Sequence, residues 1–176
     1  MSTLKRTDQQ IVEALILSGV PKRYHSREAS LEKAGDAGAS LKRLLTTGNH
    51  KDLLDGGVVE VAGSSVDHLT AFHSFVRSLV VRNYPVVELF AELISPNRIS
   101  ENVHDKLNEY SILALEGMTP YKCNPFGAAA QSVEWVLTRW LEQGKGLVLL
   151  TDGQFQQCDI WSPRFRQLVE SRIIRA

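Results

Sequence analysis

The sequence predicts an α/β fold in which a parallel β-sheet is covered by helices on both faces. Its 176 residues, of which 43% are apolar and 23% charged, suit one packed globular chain. Between residues 58 and 151, apolar runs of about five residues alternate with helical patterns. Strands that are buried on both faces need such continuous apolar runs, so this alternation is typical of a parallel sheet.

The first predicted element is a short amphipathic helix over residues 8–17. Its apolar side chains Ile11, Leu15 and Ile16 recur at helical spacing, and a Gly-Val-Pro sequence follows the helix. A polar segment separates these side chains from the first strand. We therefore expect residues 1–18 to act as a hook that binds a partner, because short helices dock into grooves through such anchors.

The second predicted segment, residues 19–55, is a strap or linker. It is polar, it is interrupted by several glycines, and it carries one helical pattern near residues 39–45 and no strand signal. The remaining residues, 56–176, form the predicted core.

The core is predicted to hold four strands and two long helices. In chain order, the strands are residues 58–61, 86–90, 111–115 and 146–151, and the helices are residues 67–83 and 127–143. Each helix presents one apolar stripe to the sheet. We expect the aromatic residues of these helices, including Trp135 and Trp140, to pack in the core.

Composition excludes several classes of function. Lys and Arg (20) balance Asp and Glu (20), so the charge of the whole molecule does not attract nucleic acid, and any contact with DNA would come from a local patch and be weak. No apolar run approaches the roughly 18 residues that cross a bilayer, so no membrane contact is expected. Cys123 and Cys158 lie far apart without a CxxC motif, which indicates a reducing, cytoplasmic location.

The histidines give no metal-binding pattern. His68 and His73 are five residues apart and His104 is distant, so no pair has the i, i+4 spacing of a helical metal site. We expect solvated or capping histidines, no metal and no cofactor. A Ser-His-Asp grouping of His68, Asp152 and a neighbouring serine lacks the G-x-S-x-G turn, which argues against a hydrolase.

Several motifs, taken in chain order, resemble one family. They are Gly-Val-Pro-Lys-Arg-Tyr at residues 19–24, the loop and helix start at 63–71, the apolar strand at 111–117, the strand at 144–152 and the arginine-bearing tail at 165–173. Together they are similar to the DnaC/DnaI-type bacterial helicase loaders and their IstB-like relatives over about residues 19–176. The resemblance implies a RecA/AAA+-like parallel sheet sandwiched by helices, without a separate lid domain.

Departures from the family pattern affect the nucleotide site. A phosphate-binding loop needs the sequence G-x-x-x-x-G-K-[ST]. In this chain, Val66 occupies the position of the motif's lysine and Asp67 occupies the position of its serine or threonine. The loop after Gly63 is also about three residues shorter than the motif requires. Asp67 is the predicted cap of the following helix. Glu116 alone replaces an acidic pair, and Asp152 lies in a Thr-Asp-Gly sequence where the family has Thr-Ser-Asn. These residues predict a degenerate nucleotide site and a pseudo-ATPase that is not an enzyme.

The C-terminal tail carries the strongest cationic cluster. Its arginines are Arg164, Arg166, Arg172 and Arg175. In the resembled family, arginines in this segment reach a neighbour's nucleotide or DNA, which implies a partner-binding face formed by the first three. The other interpretation is a solvated helix face.

The resulting functional prediction is a non-hydrolysing, helicase-loader-like protein of DNA replication. Its expected partner is the replicative helicase, the loader ATPase, or both. Two alternatives stay open at this point: a divergent nucleotide-binding ATPase, and a RecA-like structural adaptor or inhibitor outside helicase loading.

Overall fold

A four-stranded sheet forms the centre of the molecule. The computed structural model describes residues 7–26, 30–90, 107–118, 128–153, 155 and 159–175. The strands are Val58–Ala62 (β1), Val86–Phe90 (β2), Ile112–Met118 (β3) and Gly146–Thr151 (β4). All neighbouring strands are parallel, in the order β1-β4-β3-β2. The predicted α/β class and parallel sheet are therefore confirmed.

Helices cover both faces of this sheet. Within the described ranges, the α-helices are Asp8–Leu17 (α1), Gly35–Thr47 (α2), Val66–Val81 (α3), Ala128–Glu142 (α4) and Pro163–Glu170 (α5). Short 3-10 helices span Lys22–Tyr24, Leu31–Lys33 and Asn49–Asp55. Side chains from α1, α2 and α3 pack against one face, and those from α4 and α5 pack against the other. No described helix has both the length and the apolar character needed to cross a membrane.

Alternation along each strand explains why the strands are mostly apolar. In β3, Ile112 and Ala114 join the core under α3, whereas Leu113 and Leu115 join the core under α4. Because successive side chains point to opposite faces and both faces are covered, most positions carry an apolar residue. The charged exceptions are Glu60, Glu88 and Glu116. A one-residue bridge between Val58 and Ile173 extends the sheet beyond β1.

The segment predicted to be a strap contributes to the core. Leu31, Leu41 and Leu44 are buried in the same cluster as the side chains of α3. Glycine in this segment does not break the helix: a Cβ at Gly38 would overlap the carbonyl oxygen of Leu31, so glycine allows α2 to approach the preceding turn. The helix therefore begins at Gly35, earlier than the sequence pattern indicated.

Helix α1 also packs against the core. Leu15 is 0% exposed and Ile11 is half-buried against the core, whereas Ile16 is 62% exposed. Thr7 caps the helix and forms a capping box with Gln10. The expectation that the apolar stripe lies apart from the core is wrong for Leu15 and Ile11, because α1 rests on α3.

The two tryptophans of α4 differ in environment. Trp140 is buried and its Nε1 donates a hydrogen bond of 2.9 Å to the carbonyl oxygen of Gly146. Trp135 is 56% exposed, with the guanidinium of Arg139 4.9 Å from its ring centre, so the prediction that it packs in the core is wrong. His104, Cys123 and Cys158 lie outside the described residues.

Candidate functional site

A cavity of about 240 Å³ lies at the carboxyl ends of β1, β3 and β4, beside the start of α3. Its lining residues are Gly63, Ser64, Ser65, Leu69, Glu116, Gly117, Leu150, Thr151 and Asp152. Open α/β sheets bind ligands at this edge, because the loops that follow the strands meet there. Three of the five predicted nucleotide-site residues, Gly63, Glu116 and Asp152, are thus brought together.

Val66 and Asp67, the other two, lie outside the cavity lining. Val66 is the first residue of α3 and is 77% exposed. Ser65, not Asp67, caps α3: it has extended backbone angles, and its Oγ accepts a hydrogen bond of 3.4 Å from the backbone N–H of His68. The prediction that Asp67 is the cap is therefore wrong. Asp67 lies in the first turn, where its charge complements the positive end of the helix dipole.

Gly63 does not contribute a free amide to the cavity. Its backbone N–H donates a hydrogen bond of 2.9 Å to the carbonyl oxygen of Thr151, which continues the pairing of β1 with β4. Its φ is +149°, and a Cβ at this position would overlap the ring of His68. The glycine therefore serves close packing of His68, whose Nδ1 lies 2.6 Å from the Oγ of Ser65. This contact belongs to the helix cap.

The polar groups of the cavity are carboxylates, hydroxyls and backbone. Glu116 and Asp152 supply the carboxylates, and the described residues that line the cavity include no lysine or arginine. The hydroxyl of Thr151 donates a hydrogen bond of 2.8 Å to Oε1 of Glu60 and accepts one of 3.2 Å from the backbone N–H of Gly153. Without a cationic side chain in this described lining, the cavity offers a phosphate group no ion pair.

A buried histidine connects Glu116 to a second glutamate beneath α3. His73 is completely buried; its Nδ1 lies 2.8 Å from Oε1 of Glu88, and its Nε2 lies 3.5 Å from Oε2 of Glu116. The ring of Tyr24 stacks on the imidazole at 4.4 Å between centres. His73 is thus neither solvated nor a cap, and the sequence-based expectation for it is wrong.

Burial and charge act in opposite directions on this cluster. Burial acts to lower the pKa of His73, but the carboxylates of Glu116 and Glu88 together outweigh it, so the pKa of His73 is raised. Burial raises the pKa of Glu88, and His73 opposes that rise. A raised pKa in both partners indicates that the cluster holds protons more tightly than the free side chains do.

Sequence reasoning missed His73 and Glu88 as functional residues. Both stand in apolar patterns: His73 lies between Phe72 and Val76 on the sheet-facing stripe of α3, and Glu88 lies in the middle of β2. Both are polar residues at positions where the apolar pattern of a covered helix or strand predicts an apolar residue, and this exception is the sequence signal that could have identified them.

The predicted arginine face is divided among different surroundings. Nη1 of Arg172 donates a hydrogen bond of 2.8 Å to the carbonyl oxygen of Leu141, which ties the tail to the end of α4. Arg166 lies 3.9 Å from Asp159, and Arg164 is exposed beside Trp135 in a groove between α4 and α5. The prediction of one partner-binding face is wrong for Arg172, which has a structural role.

The fold and the site define an α/β protein with an all-parallel sheet and an acidic cavity at the carboxyl ends of its strands. Comparison of the chain with protein families, with curated proteins and with solved structures gives no significant match.

Proposed function

We propose that the protein is a non-hydrolysing relative of the helicase-loader ATPases that acts in DNA replication by binding the replicative helicase or its loader. One observation carries the non-hydrolysing part: the cavity at the position of a phosphate site is lined by Glu116 and Asp152 and by no cationic side chain among the described residues. A phosphate-binding loop instead supplies a lysine and several free amides.

Three further features support the loss of nucleotide binding. The backbone N–H of Gly63 already donates to the carbonyl oxygen of Thr151, and the ring of His68 fills the space beside Gly63. Asp67 adds a negative charge to the first turn of α3. Each of them removes or opposes an interaction that a triphosphate with Mg²⁺ requires.

The arrangement of the sheet supports the assignment to a RecA-like fold. The order β1-β4-β3-β2, with all strands parallel and helices on both faces, is consistent with a Rossmann- or RecA-like architecture. The motif order of the chain supports the narrower resemblance to helicase loaders.

Exposed apolar residues support a role in binding another protein. On α1, Val12, Ile16 and Leu17 are exposed although they are apolar, and on α4 Trp135 is exposed beside Arg139. Such residues on a helix surface are typical of contact sites for a partner. Of the three predicted hook residues, Ile16 is therefore the one proposed to contact a partner, whereas Leu15 belongs to the core and Ile11 packs against it.

Two measurements test this function on the purified full chain. Calorimetric titration with Mg-ATP should give no saturable binding, and sedimentation with the purified replicative helicase, and separately with its loader, should give a complex with at least one of them. Ile16→Asp should weaken that complex, and Val66→Asp, which also places a charge at an exposed apolar position, should not.

Micromolar, saturable Mg-ATP binding would favour the divergent ATPase. No complex with either protein would favour an adaptor or inhibitor outside helicase loading.

A further inference from the structure

The cluster beneath α3 combines three potential metal ligands from three elements. His73 comes from α3, Glu88 from β2 and Glu116 from β3, and one donor atom of each can be chosen so that all lie within 4.8 Å of one another. In β2 and β3, Glu88 and Glu116 alternate onto the sheet face that carries Val86 and Ile112, which is the face covered by α3. The fold therefore brings the three side chains together in one cluster.

The contacts within the cluster do not have hydrogen-bond geometry. Nδ1 of His73 lies 2.8 Å from Oε1 of Glu88, yet neither ring nitrogen has a hydrogen-bond partner among the described residues, and neither does Oε2 of Glu88. Two ligands of one ion direct their lone pairs at the ion and not at each other. At bonds of about 2.1 Å, the two atoms are about 3.0 Å apart at the right angle of octahedral coordination and about 3.4 Å apart at a tetrahedral angle. The 2.8 Å between Nδ1 and Oε1 is close to the octahedral value.

The burial of Glu88 also favours a bound cation. Its side chain is 5% exposed and lies against the fully buried imidazole of His73. A buried carboxylate is costly unless a positive charge lies beside it, and a metal ion supplies that charge.

We propose that His73, Glu88 and Glu116 bind one divalent transition-metal ion, of which Zn²⁺ and Mn²⁺ are the best matched. One imidazole and two carboxylates form a mixed nitrogen and oxygen donor set, which suits these ions better than Mg²⁺ or Ca²⁺. Glu116 also lines the cavity at the strand ends, which gives the ion a path of entry from that side.

Packing around His73 orients the proposed ligand. Tyr24 stacks on the imidazole. Phe72 makes an edge-type contact with the imidazole, with 5.2 Å between the two ring centres. The backbone of Glu88 is held by a hydrogen bond of 2.7 Å from its N–H to the carbonyl oxygen of Ser18. Fixed surroundings of this kind set the orientation of metal ligands before the ion arrives.

The test uses the full chain after treatment with a chelator and its removal. Calorimetric titrations with Zn²⁺ and with Mn²⁺ should show one site per chain, and each ion should raise the Tm by several degrees, because a ligand that binds only the folded state stabilises it. Mg²⁺ should bind much more weakly.

Glu88→Gln removes one ligand with little change in shape and should weaken binding by at least about 100-fold. Its matched control is Glu60→Gln, since Glu60 is a half-buried strand glutamate outside the cluster, and it should bind with the affinity of the wild-type chain.

A wild-type chain that shows no saturable binding of either ion would overturn the proposal, as would equal affinities of Glu88→Gln and Glu60→Gln. Where Glu88→Gln does not fold, the visible absorption of Co²⁺ added to the wild-type chain decides instead. Bands of inner-sphere coordination that persist in His68→Gln support the site, and bands that are lost in that variant assign the ion to the surface. These measurements use neither helicase nor nucleotide, so their failure is distinct from failure of the proposed function.

Discussion

The backbone N–H of Glu88 donates a hydrogen bond of 2.7 Å to the carbonyl oxygen of Ser18, which joins the end of α1 to an outer strand of the sheet. The turn that follows α1 also lies against this strand. A Cβ at Gly19 would lie 2.5 Å from the carbonyl oxygen of Glu88. Helix α1, its turn and β2 therefore form one packed unit, and the turn supports the backbone of a residue in the buried cluster.

Gly19→Ala should destabilise the protein more than Gly48→Ala. Both glycines have positive φ, +82° and +88°, so both variants incur the strain of a left-handed backbone, on the order of 1–2 kcal/mol. Only Gly19 adds a clash with backbone, because no atom of the described residues lies within 4 Å of a Cβ at Gly48. Urea denaturation of both variants measures the difference, and equal losses would show that the turn adapts to the methyl group.

Leu15→Ala should cost about 2–5 kcal/mol of unfolding free energy, because it leaves a cavity in the core. Ile16→Ala, one residue further along an exposed face, should change stability by no more than about 0.5 kcal/mol. Deleting residues 1–18 should accordingly lower the Tm. Thermal unfolding followed by circular dichroism distinguishes this from a detachable hook, for which all three changes would be neutral.

Ser65→Ala should remove the cap of α3 and cost about 0.5–2 kcal/mol. Asp67→Ala removes a charge in the first turn and should cost about 0.3–1 kcal/mol, an effect that decreases in high salt. Chemical denaturation at low and high salt separates the two contributions. A larger loss for Asp67→Ala that is independent of salt would restore Asp67 as the cap.

Arg172→Ala should cost about 1–3 kcal/mol, because it leaves the carbonyl oxygen of Leu141 without its charged donor. Arg164→Ala, on the exposed side of α5, should leave stability within about 0.5 kcal/mol of the wild-type value. If the groove beside Trp135 contacts the helicase or its loader, Arg164→Ala should instead weaken that complex. Unfolding free energies and sedimentation of the complex together assign each arginine to stability or to binding.

Local sequence pattern was sufficient to predict the helices and strands of the core, but not which segments pack against one another. The helices predicted at residues 67–83 and 127–143 occur at Val66–Val81 and Ala128–Glu142, because an apolar stripe on a covered helix is a local property of the chain. The packing of Leu15 and Leu41 under α3 depends on contacts between distant segments, which periodicity does not specify.

The cluster of His73 with Glu88 and Glu116 could not be predicted from the sequence for the same reason. Its members are far apart in sequence and become neighbours only because β2 and β3 pair in one register under α3. Spacing rules for metal sites describe ligands on one helix or one loop, so they do not detect ligands that the sheet brings together.

The bridge at Val58 determines how other chains can meet the sheet. The N–H of Val58 donates to the carbonyl oxygen of Arg172, and its own carbonyl oxygen accepts from the N–H of Ile174, so the tail occupies the start of the outer edge of β1. An open edge strand is a template for strand addition and for aggregation. The tail covers the start of this edge, so a chain cleaved before Arg172 would expose the backbone N–H and carbonyl oxygen of Val58 to strand addition by its own copies.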